Sequence, residues 1–224
     1  MTADAVGGVW TYSLELARGF VRHGVETSLV VMGPAPTAQQ LTDAHPVRVL
    51  HSACKLEWMD DPWSDVDRAG DWLLQLEKEI QPDVVHLNGY SHGSLPFRAP
   101  KVVVGHSCVL SWWEAVHNKP APREWDEYKR RVTRGLRGAD LIVTPSYAMR
   151  DALVANYDSR AIVIPNGCTF EPFQHSAKED FVLTAGRLWD RAKNLQLLEQ
   201  LAPSLAWLVY AAGDGGGLDR KSVV

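Results

Sequence analysis

Cysteine is scarce in this 224-residue chain. Cys54, Cys108 and Cys168 are odd in number and show neither CxxC nor metal-ligand spacing, which argues against a disulfide framework and for a reducing, cytoplasmic setting. No apolar run approaches the ~20 residues that a membrane-spanning helix needs, and the opening Met1-Thr-Ala-Asp lacks the basic and apolar regions of a signal peptide. Contact with a membrane periphery stays open. Neither sign of charge dominates: 23 Lys and Arg against 27 Asp and Glu leave a formal charge of -4, which lends nucleic-acid binding no support. There is no HExxH and no cysteine cluster, so a metal reading of His86, His92 and His106 is disfavoured. There is no GxGxxG with an acid at the dinucleotide interval either, which counts against an NAD site.

What is present is an ordinary globular composition, 46% hydrophobic and 22% charged, with room for one or two domains. Gly7-Gly8 opens an amphipathic pattern at Val9, Tyr12, Leu16, Ala17 and Phe20 that predicts a helix stopping at His23-Gly24. Strands are predicted at 25–31 and 47–50, with a loop or short helix between them over 34–42. Val66, Ala69, Leu73, Leu76 and Ile80 predict a helix closing at Gln81-Pro82. A strand over 83–87 then runs into a polar turn, Asn88 to Gly93. A second strand, 101–105, exits at His106. Trp125, Tyr128, Val132 and Leu136 make the next helical stripe, with Pro122 suited to its first position. Its basic run from Lys129 to Arg137 reads as a solvated face, with attraction to anionic lipid or a phosphorylated acceptor as the weaker reading. A strand over 139–143, a helix capped by Ser146 and a strand over 161–164 complete a strand–helix–strand series that implies a parallel sheet.

Residues 168–179 are polar and aperiodic, and the domain boundary is placed there. A new unit starts with the strand from Phe181, breaks at Gly186, and continues through Arg187 and Lys193 into a helix bearing Leu195, Leu198 and Leu201. It then gives a strand over 206–212 and a glycine loop containing Gly213 and Gly215. Two cations between a strand end and a helix start, with Lys193 expected in the first helical turn, could hold an anion from two sides. Two strands and one helix cannot bury both faces of a sheet, so this unit is expected to continue past Val224.

Two stretches carry a family likeness. Asp4-Ala-Val-Gly-Gly-Val-Trp-Thr-Tyr12 and Gly186-Arg187 with Lys193 resemble the motifs of the GT-B glycosyltransferases, specifically the retaining family 4. The resemblance implies an α/β GT-B fold: a Rossmann-like, parallel-sheet N-terminal domain on the acceptor side (1–167), a linker (168–179), and the start of a nucleotide-sugar-binding domain (180–224), with a cleft between the domains. It implies a nucleotide-diphosphate sugar as donor, a hydroxyl acceptor, retention of configuration, and no cofactor or metal. Arg187, Lys193 and the Gly7-Gly8 amides are implied to face the donor phosphates, His106 the donor sugar, and Gly213 and Gly215 the nucleotide. Trp10, Asn88, Tyr90, Trp112 and Trp113 are the acceptor-side candidates, and a lipid-linked acceptor would put the protein at the inner membrane face. Two departures stand out. The strand that precedes the double glycine in the family is expected to be absent here or reduced to a stub at residues 1–5, and the family's E-x7-E pair is not reached. The alternatives are a non-catalytic fragment or sugar- or partner-binding pseudoenzyme, and a GT-B nucleotide-sugar epimerase.

Overall fold

A computed structural model describes residues 1–169 and 177–213. The chain divides into two compact units, Met1–Ser111 with Pro120–Phe170 and Trp112–Lys119 with Glu171–Val224.

The first unit holds two parallel sheets. One orders β1 (Thr2–Asp4), β2 (Ser28–Met32) and β3 (Arg48–Ser52); the other orders β4 (Val85–Leu87), β5 (Lys101–Val104), β6 (Leu141–Thr144) and β7 (Ile162–Val163). The opening strand is therefore present as a stub, three residues pairing from Thr2↔Val30 to Asp4↔Met32. The reading in which it is absent is overturned.

The helices follow from local chemistry. In α1 (Gly8–Arg22), Trp10, Leu14 and Ala17 recur on one face and are buried. Gly24, at φ 72°, ends it by donating to Val21 O at 3.0 Å, a turn that a side chain would resist. The short helix α2 (Ala38–Ala44) starts at a capping box between Thr37 and Gln40. The helix α3 (Trp63–Ile80) buries Val66, Ala69, Leu73 and Leu76 and stops where Gln81 turns left-handed ahead of Pro82. Acids open α5 (Asp126–Gly138) and Arg137 closes it. The Ser146 hydroxyl caps α6 (Tyr147–Tyr157) by accepting from Met149 N at 3.2 Å. A helix not expected from the sequence, α4 (Val109–His117), carries the Trp112-Trp113 pair. Its nine residues put Ser111, Glu114 and His117 on one side, a pattern too short to read as a stripe.

The polar turn expected over 88–93 is instead a buried 3-10 turn, Ser91–Ser94, packed backbone to backbone on α5. A Cβ on Gly93 would overlap the Gly135 carbonyl, and one on Gly135 the Tyr90 carbonyl. The carboxylate of Glu57, itself buried, accepts from the N–H groups of Tyr90 and Ser91 at 2.9 and 2.7 Å and caps this turn. The basic run of α5 is not wholly a solvated face. Arg131 binds Glu127 and Asp67 and lies 4.8 Å over the Trp63 ring, joining α5 to α3.

The main core sets Leu87 and Val103 against Tyr128, Val132 and Leu136 of α5 and Leu153 of α6. The β1–β3 sheet is covered on both faces: Ala3 and Val31 meet Trp10 and Leu14 of α1, while Val30 and Met32 meet Ala69 and Leu73 of α3. Parallel sheets ordinarily carry helices on both faces. The β4–β7 sheet departs from this, because Val102, Val104, Leu141 and Val143 face a cavity of about 1050 Å3 that Leu16 and Phe20 of α1 also line.

Besides Trp112–Lys119, which includes most of α4, the second unit holds one parallel crossover: β8 (Phe181–Ala185), α7 (Leu195–Leu201) and β9 (Leu208–Ala212), registered from Phe181↔Leu208 to Ala185↔Ala212. Among its described residues Val209 is the single buried hydrophobic, while Leu183, Trp207 and Leu208 are exposed.

The glycine contacts yield a test. In an ordinary helix interior Gly→Ala stabilises by about 1 kcal/mol. Gly135→Ala should instead lower the urea midpoint of unfolding, because the turn must move away from α5; an unchanged or raised midpoint would contradict the close approach.

Candidate functional site

In the first unit the site is built on Asn88, the residue after β4. Its backbone N–H donates to Thr2 Oγ1 at 2.9 Å, and its Nδ2 donates to Thr2 O at 2.8 Å and to the buried Ser13 Oγ at 3.0 Å. Its Oδ1 meets two imidazoles, His106 Nε2 at 3.0 Å and His86 Nε2 at 3.2 Å. Tyr12 of α1 sets its ring edgewise on His106, with centroids 4.5 Å apart. Burial strips water from the imidazolium forms and pushes both histidines down to about 4; for His86 the positive chain amino terminus adds to this. Both rings are neutral at pH 7. His92 is not part of this group, since its Nε2 donates to Val66 O at 2.9 Å in a different part of the unit. Among the described residues no three His, Cys, Asp or Glu side chains are grouped to hold a metal ion.

Gly8 lies one helical turn before Tyr12 on α1. Gly7 takes φ 87° as the N-cap, with no side-chain cap, and a Cβ on Gly8 would meet nothing within 4 Å. The amides of this first turn are open to a ligand. The acceptor-side candidates separate. Trp10 is a core residue on β2's face and Tyr90 is buried in the main core, its hydroxyl donating to Ser107 O at 2.9 Å and filling the space that Gly105 leaves. Neither presents its ring to an acceptor. Asn88 is fully engaged by protein groups. Trp112 is exposed on α4, and Trp113 stacks on His117 at 4.4 Å with its indole Nε1 buried.

In the second unit, Arg187 follows Gly186 at the end of β8. Its Nη2 donates to Asp190 Oδ2 at 2.8 Å, and its guanidinium lies 5.3 Å over the Trp189 ring. Asp190 is buried and its other oxygen accepts from Ala192 N at 3.0 Å, starting the 3-10 turn Arg191–Lys193. The stem of Lys193 packs on Gly186, its Cε 3.5 Å from where a Cβ would stand. Both cations are thus fastened to one short turn. Lys193 is not in the first turn of α7 as expected, because Asn194 adopts φ 51° and interrupts the chain before Leu195. Gly186 N donates to Ala212 O at 2.9 Å, and a Cβ on Gly213 would overlap the Gly186 carbonyl, so the two strand ends converge at glycine. Gly215 lies outside the described residues.

The model of Glycosyltransferase Family 4 matches residues 6–171, most of the chain. The chain belongs to that family. This family 4 chain also aligns with solved GT-B structures: a glycosyltransferase from Rickettsia africae (TM-score 0.59, 16% identity, 95% of this chain and 58% of that one) and MurG of Acinetobacter baumannii (TM-score 0.53, 16% identity, 95% and 57%). It spans less than two thirds of either. The likeness establishes the α/β GT-B fold. A comparison with curated protein sequences gave no match. No helix among the described residues is long and apolar enough to cross a membrane.

Around the family 4 motifs, the sequence offered no sign of Thr2, Ser13 and His86 as partners of Asn88, or of Tyr12 as the ring against His106. Asp190, the partner of Arg187, is missed despite a local signal, an acid three residues after the arginine in a strand-to-helix turn.

The histidine pair links stability to pH. Folded values of about 4 lie below the ordinary 6.5 of histidine, so between them the unfolded chain binds more protons. The stabilisation is complete above pH 6.5 and is lost as pH falls toward 4. His106→Gln should flatten the fall in unfolding free energy, read from urea titrations, between pH 7 and 5, by on the order of 2 kcal/mol over that window; an unaltered slope would show that His106 is not held neutral.

Proposed function

We propose that the protein transfers a sugar from a nucleotide-diphosphate donor to a hydroxyl acceptor with retention of configuration. The observation that carries this reading is Arg187, at the end of a strand, fixed by the Asp190 that also caps the turn ending in Lys193, whose stem packs on Gly186. Asp190 occupies one guanidinium nitrogen and leaves the others to donate to phosphate. In the reaction the bond from the anomeric carbon to the diphosphate oxygen breaks, and a bond to the acceptor oxygen forms on the same face. The acceptor proton passes to the departing diphosphate. Arg187 and Lys193 stabilise the charge that develops there, with the Gly7-Gly8 amides as further donors, so the scheme calls for no cofactor and no divalent metal. His106 takes a sugar hydroxyl, Gly213 and Gly215 border the nucleotide, and Trp112 and Trp113 offer aromatic surface to the acceptor. Free thiols at Cys54, Cys108 and Cys168 accord with a cytoplasmic setting, where a lipid-linked acceptor would be met at the inner membrane face.

In the full-length protein, Arg187→Ala and Lys193→Ala should each lower kcat by about 10²–10³-fold, the loss typical when one donor to a developing anion is removed. Transfer measured by product formation with acceptor present is the readout. Turnover near that of the unsubstituted protein in either variant refutes the role.

A further inference from the structure

We infer that Asn88 is a positioning residue: its single carboxamide oxygen holds His86 and His106 as Nε2–H tautomers and leaves Nδ1 of His106 as a hydrogen-bond acceptor for a ligand hydroxyl. The deduction starts at a backbone carbonyl. Thr2 O can only accept, and it lies 2.8 Å from one end of the Asn88 amide, so that end is the nitrogen. The nitrogen's second hydrogen goes to Ser13 Oγ at 3.0 Å. The orientation of the amide is therefore fixed without reference to either histidine. Its oxygen then faces His106 Nε2 at 3.0 Å and His86 Nε2 at 3.2 Å. A bare ring nitrogen there would set lone pair against lone pair, so both nitrogens carry hydrogen. One oxygen with two lone pairs accepts from both rings.

An imidazolium would also donate from Nε2, but the surroundings reject a second proton. Two cations would share one neutral oxygen. The groups facing them are the Tyr12 ring and the Asn88 amide, neither of which carries a negative charge. Among the described residues no carboxylate touches either ring, and Nδ1 of His106 has no hydrogen-bond partner. Neutral Nε2–H imidazoles follow, each with its lone pair at Nδ1.

The functional part of this inference rests on the transfer reading. A neutral ring with an acceptor nitrogen suits the O–H of a sugar and excludes His106 as a cationic proton donor at pH 7. Asn88 then acts on the ligand through His106 rather than touching it.

Long-range 1H–15N correlation spectra of the 15N-labelled full chain at pH 7 test the assignment directly. His86 and His106 should both show a protonated Nε2 and a bare Nδ1; a protonated Nδ1, averaged tautomers or a cation at either ring would overturn it. Asn88→Asp supplies a second reading, because a carboxylate against the two N–H groups should raise the His106 pKa by about 1–3 units. A His106 titration unmoved in that variant contradicts the positioning role, and should the variant fail to fold, the unsubstituted spectrum decides alone. A failed tautomer pattern leaves the diphosphate reading at Arg187 and Lys193 standing, and loss of that reading leaves the tautomers as they are.

Discussion

The carboxamide of Asn88 is the joint of the first unit. Its two sheets share no ladder: β1 pairs with β2 and β4 with β5. Asn88 ties their strand ends directly, its backbone N–H and side chain both reaching Thr2 across 86 residues of sequence, beside the Glu57, His92 and Arg131 contacts that join the same two halves. A buried amide so placed is worth most when every hydrogen bond is made, since a lost partner leaves a desolvated group behind. Here all four polar bonds of the side chain are made, two to Thr2 and Ser13 and two to the imidazoles. The group that joins the sheets therefore also sets the chemistry of His106. Any change that loosens the joint alters the histidines, and the strand stub at residues 2–4 matters to the site because it carries the carbonyl that orients the amide.

The second unit rests on a different balance. It has little core of its own among the described residues, and what order it shows near Arg187 comes from polar geometry. A buried carboxylate at Asp190 spends part of the arginine's charge, yet it fixes the guanidinium and caps the following turn with the same two oxygens. Gly186 and Gly213 let the strand ends and the Lys193 stem approach closely. Under the proposed transfer, an arginine fixed in advance suits electrostatic stabilisation of a developing anion, because less reorganisation is left to do during reaction.

Much of this was legible in residue order. The helix α1, the stripes of α3 and α5, the cap at Ser146 and the crossover around Arg187 and Lys193 follow from spacing and turn chemistry, which act over a few residues, although α1 buries Trp10, Leu14 and Ala17 rather than the expected Val9, Tyr12, Leu16 and Phe20. The failures have a common cause in contacts that spacing does not encode. Trp10 and Tyr90 border loops in sequence but point into cores. The 3-10 turn Ser91–Ser94 is specified by glycines on α5, more than 40 residues away, that let two backbones touch. The helix α4 spans only nine residues, too few for its period to stand out. Asn88 looked available to an acceptor because its partners, Thr2 and Ser13, lie in another sheet and helix.

The most direct measure of the central claim is a calorimetric titration of the full-length protein with a nucleoside diphosphate and with the matching monophosphate. The account predicts tighter binding of the diphosphate, and a loss of that preference by about tenfold or more when Arg187 and Lys193 are both replaced by alanine, since each tenfold is about 1.4 kcal/mol. Equal affinity for the two nucleotides, or a preference unaffected by removing both cations, would contradict it.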